Sequence, residues 1–143
     1  MHLDPVAVFP LSITFRQTKP TSLDFLTENV TELKDVLESG LEVDGRVMGV
    51  KVRCVVCDAP ARALVKDIKN YNAYYGCERC QQKGVWARKV GGKGGRVTFQ
   101  ETENLVPRTD ENFRAVEQRP HHLHHEASSP LLELGVDMVL TSR

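Results

Sequence analysis

The sequence predicts an α/β domain in which a strand, a helix and a second strand precede a segment that bears cysteine and histidine. Residues 6–15 are largely apolar and end in an alternating run, which predicts a strand. Apolar residues at helical spacing follow, and the valine-rich run at residues 47–57 predicts a buried strand, central in its sheet. Because strand-helix-strand units favour parallel pairing, we expect the two strands to be parallel.

The first helix is predicted between a strand break at Lys19-Pro20 and Gly40. Thr21 or Ser22 can cap its start, and glycine commonly follows a helix end. Asp44-Gly45 then predicts a short hairpin before the second strand. The apolar positions that recur at steps of three and four residues are Leu23, Leu26, Val30, Leu33 and Leu37.

A second helix is predicted at residues 59–69, with Pro60 near its start and Asp58 directly before it. The pattern favours Asp58 as the helix N-cap. Alternatively, Asp58 holds a divalent cation, since ligands bind beyond the carboxyl ends of strands in open α/β sheets. Residues 71–80 are rich in turns, and residues 96–99 predict a short strand.

The composition predicts one domain. The chain has 19 basic and 19 acidic residues, so no global positive field attracts nucleic acid and any such contact must be local. The apolar stretch near the N-terminus is short and is broken by Pro10. We therefore expect no signal peptide, no transmembrane segment and no membrane partner.

The four cysteines form two C-x-x-C pairs, separated by 19 residues, which is a spacing typical of zinc sites. Cys54 and Cys57 lie in the predicted strand, where residues three apart point to opposite faces. Cys77 and Cys80 follow a turn and are the better candidates for one metal ion. Two of the histidines at His121, His122, His124 and His125 could complete a Cys2His2 site. The alternative is an exposed polar loop that binds no metal.

Residues 81–100 carry five basic residues, no acidic residue and the only tryptophan of the chain. Such a stretch suits a nucleic-acid backbone, with the indole available to stack on an unpaired base. The alternative is a solvated glycine-rich loop with the tryptophan buried in the core. The candidate nucleic-acid-binding residues are Lys83, Trp86, Arg88, Lys89, Lys93 and Arg96.

Several pieces of the sequence together resemble the middle of the catalytic domain of eukaryotic cut-and-paste DNA transposases related to the CACTA (EnSpm) group. The most specific part is the block around Asp58 followed by the Gly-Cys-x-x-Cys segment. The matching pieces are Lys19-Pro20, Asp24-Phe25-Leu26, Cys57-Asp58-Ala59-Pro60-Ala61-Arg62, Ile68-Lys69, Tyr74-Tyr75-Gly76-Cys77-Glu78-Arg79-Cys80, Arg96-Val97-Thr98-Phe99, Arg108-Thr109-Asp110, His124-His125, Ser129-Pro130-Leu131 and Asp137-Met138-Val139.

The resemblance implies a partial RNase H-like fold, with its core at residues 1–70 and a Cys/His-bearing insertion and truncated C-terminal segment at residues 71–143. In this fold three acidic residues hold two Mg²⁺ ions for DNA cleavage and strand transfer. Asp58 matches the second acidic residue and would be both catalytic and a Mg²⁺ ligand. The first would lie before Val6 and the third beyond Arg143, so we expect a fragment or relic without activity alone. The resemblance likewise implies that the intact protein binds DNA at transposon ends, forms homo-oligomers and is located in the nucleus.

The resemblance also implies a zinc-binding insertion, with Cys77, Cys80, His124 and His125 as ligands and Cys57 as an alternative. A second hypothesis needs no transposase chemistry. In it the chain is a small zinc-stabilised module that binds nucleic acid or another protein without catalysis.

Overall fold

The computed structural model describes residues 17–18, 20, 23–126 and 128–139, and it is a mixed α/β structure. The described residues contain three helices, two 3-10 turns and two antiparallel sheets of two strands each. The strand predicted at residues 6–15 lies outside the described residues. The elements are α1 (Asp24–Ser39), β1 (Leu41–Val43), β2 (Arg46–Met48), α2 (Ala59–Val65), β3 (Val85–Arg88), β4 (Gly95–Thr98) and α3 (Asp110–Arg114), with 3-10 turns at Arg119–His121 and Pro130–Leu134.

Helix α1 confirms the prediction from apolar periodicity. It ends at Gly40, whose φ of 80° is one that glycine adopts without strain, and whose N–H donates to the Val36 carbonyl at 2.9 Å. The N-cap position is Leu23, which offers no side-chain hydrogen bond. The predicted caps, Thr21 and Ser22, lie outside the described residues.

The predicted buried central strand at residues 47–57 is wrong. Its first residues belong to β2, which pairs with β1 around the Asp44-Gly45 turn, and Val47 is 70% exposed. Beyond β2, Val52 and Val55 pack against the core, whereas Val56 is 78% exposed. Residues 49–58 form no named strand. The predicted parallel pairing with residues 6–15 stays a prediction, because that segment lies outside the described residues.

Helix α2 starts where the sequence predicts, with Pro60 in its first turn, but it ends four residues before the predicted end at Lys69. The cause is Asp67, whose φ of 58° lies in the left-handed region and stops the helix. The chain then pairs with residues 121–123. Lys69 N–H donates to the His121 carbonyl at 2.7 Å, and Leu123 N–H donates to the Asp67 carbonyl at 3.1 Å.

The core lies where the three helices meet the C-terminal part of the described chain. It draws on residues before and after position 70, so the two predicted segments share it. Its buried residues are Val30, Ala63, Ile68, Phe113, Leu131, Val136, Met138 and Val139.

A long hairpin projects from residues 79–108. Its base is closed where Cys80 pairs with Pro107, with backbone bonds from Gln81 to Val106 and from Arg108 to Arg79. Strands β3 and β4 continue it. Strand β4 confirms the strand predicted at residues 96–99 to within one residue at each end.

A partly buried carboxylate links α2 to the segment that begins this hairpin. Glu78 accepts from Arg62 Nε at 2.8 and 3.0 Å and from Lys66 Nζ at 2.9 Å. The Lys66 side chain is only 5% exposed. Burial raises the pKa of Glu78, but the two cations outweigh burial and hold the pKa below its ordinary value.

Replacement of Glu78 by Gln should therefore destabilise the fold strongly, because it leaves the buried Lys66 charge without its carboxylate. We expect a loss of about 3 kcal/mol in the free energy of unfolding, measured by urea denaturation. The control is Glu133→Gln, which removes an exposed ion pair with Lys34 and should cost less than about 1 kcal/mol. Equal effects of the two variants would contradict the structural role of Glu78.

Candidate nucleic-acid interface and thiol cluster

Trp86 lies on the surface of the β3–β4 hairpin, with 51% of its area exposed. The register pairs it with Val97, and its indole covers Gly95. A Cβ at Gly95 would lie 2.8 and 2.9 Å from indole carbons, so the ring approaches the strand this closely only because residue 95 is glycine. The alternative in which Trp86 is buried in the core is therefore wrong.

Four of the predicted basic residues surround the tip of the same hairpin, and all are exposed. Within the described chain none of them forms an ion pair. They line an open groove of about 710 Å³. These residues are Arg88, Lys89, Lys93 and Arg96.

Lys83 is set apart from these four residues, at the other end of β3. Its ammonium lies 5.9 Å from the centroid of the Tyr75 ring, a cation–π distance. Trp86 lies on the same hairpin as these four basic residues but does not line their groove, and Lys83 lies in a second environment next to the tyrosines.

Cys77 and Cys80 form a close thiol pair, with 3.1 Å between their sulfur atoms. Two thiolates on a tetrahedral Zn²⁺ would lie about 3.8 Å apart, so the pair would need to open slightly to hold zinc. Burial raises the pKa of both thiols. In Cys80 this effect is outweighed by hydrogen bonds from the side chain and backbone of Gln82 and from Cys77, which lower the pKa. Cys80 is therefore the more acidic thiol of the pair.

Arg108 lies against this thiol pair and is 8% exposed. Its Nε donates to the Cys77 carbonyl at 2.8 Å, and its Nη2 has no hydrogen-bond partner in the described chain. Burial lowers the pKa of Arg108, but an arginine remains charged at neutral pH. Its charge stabilises the Cys80 thiolate and opposes protonation of His121 and His122.

The four clustered histidines occupy different environments. His121 is 1% exposed, and its Nδ1–H donates to the Tyr75 carbonyl at 2.6 Å. His122 is buried against the Phe113 ring, with 4.8 Å between centroids. His124 donates to Asp67 Oδ2 at 2.5 Å, and His125 contacts Arg119.

The predicted ligand set is therefore brought together only in part. Cys77 and Cys80 are adjacent, but the rings of His124 and His125 contact Asp67 and Arg119 instead. Among the residues with a described structure, no group of three or more His, Cys, Asp or Glu side chains is arranged to hold a metal ion.

Asp58 is the N-cap of α2, as the pattern favoured. Its Oδ1 accepts from Ala61 N–H at 2.8 Å, and the residue is exposed. Cys57 lies beside Arg62, and burial raises the pKa of its thiol. Cys54 is exposed, and all four cysteines are free thiols.

No family model, curated protein or solved structure matches the chain in the comparisons with known proteins. Along the described residues, none of the helices has both the length and the apolar character needed to cross a membrane.

Acid should destabilise the fold through His121, because burial lowers the pKa of this residue to about 4. The unfolded chain binds a proton near pH 6.5, so the stabilisation is complete above that pH and is lost as the pH falls towards 4. For this buried ring the loss amounts to about 3 kcal/mol. Urea denaturation from pH 7 to pH 4 measures it.

His121→Asn is the informative variant, since its amide can still donate to the Tyr75 carbonyl but cannot titrate. We expect a flatter dependence of stability on pH than in the unsubstituted protein. An unchanged pH dependence in this variant would show that other groups cause the acid sensitivity.

Proposed function

We propose that this chain binds single-stranded nucleic acid through the β3–β4 hairpin. The observation that carries the proposal is the half-exposed Trp86 on a hairpin whose tip bears four exposed basic residues, which form no ion pair within the described chain. The Trp86 indole packs against the backbone of Gly95, and its exposed part is available to stack on a base. Exposed Lys and Arg side chains contact phosphates without reading sequence.

A single strand suits this surface better than a duplex does. Stacking on Trp86 requires an unpaired base, and base–aromatic stacking tolerates any sequence. The neutral net charge of the chain limits the attraction to this local surface. Binding should therefore weaken steeply with salt while depending little on sequence.

Trp86→Ala should weaken the binding of a fluorescein-labelled oligothymidylate by about 1–3 kcal/mol, because one stacking contact is lost. Fluorescence anisotropy measures the dissociation constant. Tyr71→Ala, which removes another exposed aromatic ring outside the hairpin, is the control and should leave affinity unchanged.

Lys93→Gln should also reduce the salt dependence, whereas Lys51→Gln should not. Salt-insensitive binding, or equal losses for Trp86 and Tyr71, would contradict the proposal.

We further propose that the chain is part of the catalytic domain of a cut-and-paste transposase, with a partial RNase H-like core. The sequence resemblance supports this proposal, as does the position of Asp58, which is exposed at the start of α2. There Asp58 would hold Mg²⁺ together with acidic residues of the intact protein. Asn caps a helix as well as Asp does but is a poor Mg²⁺ ligand. The proposal fails if Asp58→Asn leaves DNA cleavage by the intact protein unchanged.

Zinc binding by Cys77 and Cys80 stays a prediction. The lowered pKa of Cys80 and the nearby Arg108 charge favour a thiolate, which is the form that binds zinc. His124 and His125 would have to leave Asp67 and Arg119 to complete the site. Titration with Zn²⁺ should give one bound ion per chain, lost in Cys77→Ser and kept in the control Cys54→Ser. Loss in neither variant would exclude this thiol pair.

A further inference from the structure

We propose that a second site, the cleft beside Lys83, binds one unstacked nucleotide through its phosphate and its base. The inference rests on the proposed binding of single strands and extends it from Trp86 to a new site. The cleft has a volume of about 530 Å³, within the range of small-molecule pockets. Its lining residues are Lys69, Ala73, Tyr74, Tyr75, Lys83 and Pro120.

The backbone of the cleft is held by hydrogen bonds from separate parts of the chain. Gly84 N–H donates to the Tyr74 carbonyl at 2.6 Å, and His121 Nδ1–H donates to the Tyr75 carbonyl at 2.6 Å. Lys69 N–H donates to the His121 carbonyl at 2.7 Å. Because these bonds fix the cleft before a ligand arrives, less ordering is needed on binding.

The tight turn that presents both tyrosines depends on Gly76. A Cβ at this position would lie 2.2 Å from the Asn70 carbonyl oxygen, so only glycine allows so close an approach of the two backbone segments. The close backbone packing at Gly76 therefore fixes the turn that carries the two tyrosines.

The chemistry of the cleft matches a nucleotide. Lys69 and Lys83 supply two ammonium groups, and none of the described residues that line the cleft is acidic. Lys83 is held over the Tyr75 ring at 5.9 Å. The Tyr74 ring is 48% exposed and can stack on a base, while the two lysines contact the phosphate.

The cleft adjoins the hairpin that carries Trp86. Lys83 and Trp86 are three residues apart, which is about 10 Å in an extended chain. Because residues three apart point to opposite faces of an extended chain, a single strand that contacts both sites would pass around the edge of the hairpin.

Thymidine 5′-monophosphate tests the cleft directly, because a single nucleotide does not span to Trp86. It is titrated into the full ¹⁵N-labelled chain, and amide shifts are followed by NMR. We expect shifts at Ala73, Tyr74 and Gly84, and weaker shifts with thymidine, which lacks the phosphate. Absence of shifts at millimolar nucleotide would overturn the proposal.

Variants separate the two sites. Tyr74→Ala and Lys83→Met should weaken mononucleotide binding at least about fivefold. Tyr74→Phe, which keeps the ring, should retain it, as should the surface controls Tyr71→Ala and Lys51→Met. Equal binding by Tyr74→Ala and Tyr74→Phe would refute stacking on this ring.

Trp86→Ala distinguishes failure of the cleft from failure of the hairpin. It should weaken oligothymidylate binding and leave mononucleotide binding unchanged. If the oligothymidylate binds through Trp86 but the mononucleotide causes no shifts, the cleft proposal fails and the hairpin proposal stands. If the mononucleotide binds but Trp86→Ala has no effect on the oligothymidylate, the hairpin proposal fails and the cleft is a site for free nucleotides.

Discussion

The ion pairs of the partly buried Glu78 carboxylate are the interactions on which the candidate sites depend. Glu78 lies between Cys77 and Cys80 in sequence, and it contacts Arg62 and Lys66 on the helix that Asp58 caps. A lysine that is 5% exposed needs a partner of opposite charge, so the position of the thiol segment relative to α2 is fixed electrostatically. The turn with both tyrosines precedes this segment and the hairpin with Trp86 follows it. The position of the segment therefore also determines where the turn and the hairpin begin.

The charges near the thiols also explain why four neighbouring histidines differ. Arg108 is buried and positively charged, so a second positive charge on His121 would be opposed by repulsion as well as by burial. His121 is therefore neutral, and its Nδ1–H donates a hydrogen bond to the Tyr75 carbonyl. His124, two residues beyond His122, reaches the acidic Asp67 instead. One short run of histidines thus serves to pack, to hold a turn and to pair with a carboxylate.

The sequence was sufficient to predict features that depend on neighbouring residues in the chain. It was not sufficient to predict which distant segments pack against them. Periodicity located α1, and the Asp-x-Pro pattern located the cap at Asp58, because both depend on neighbours in the chain. The valine-rich run was misassigned because apolar composition does not reveal what covers a strand: Val47 pairs in an exposed hairpin, and Val56 faces solvent. Likewise, the glycines at residues 91–95 resemble a linker, yet Gly95 supports the Trp86 ring.

Zero net charge does not oppose a nucleic-acid contact when the charges are segregated along the chain. Helix α1 carries five acidic residues and one lysine, whereas residues 81–100 carry five basic residues and no acidic one. At physiological ionic strength, exposed charges are screened beyond about 8 Å, so a phosphate at the hairpin responds chiefly to the residues beside it. The same screening removes long-range steering, which makes the contact groups, rather than the field of the whole molecule, responsible for affinity. A stacking ring and a preformed cleft are the features that such a neutral chain would use in the proposed binding.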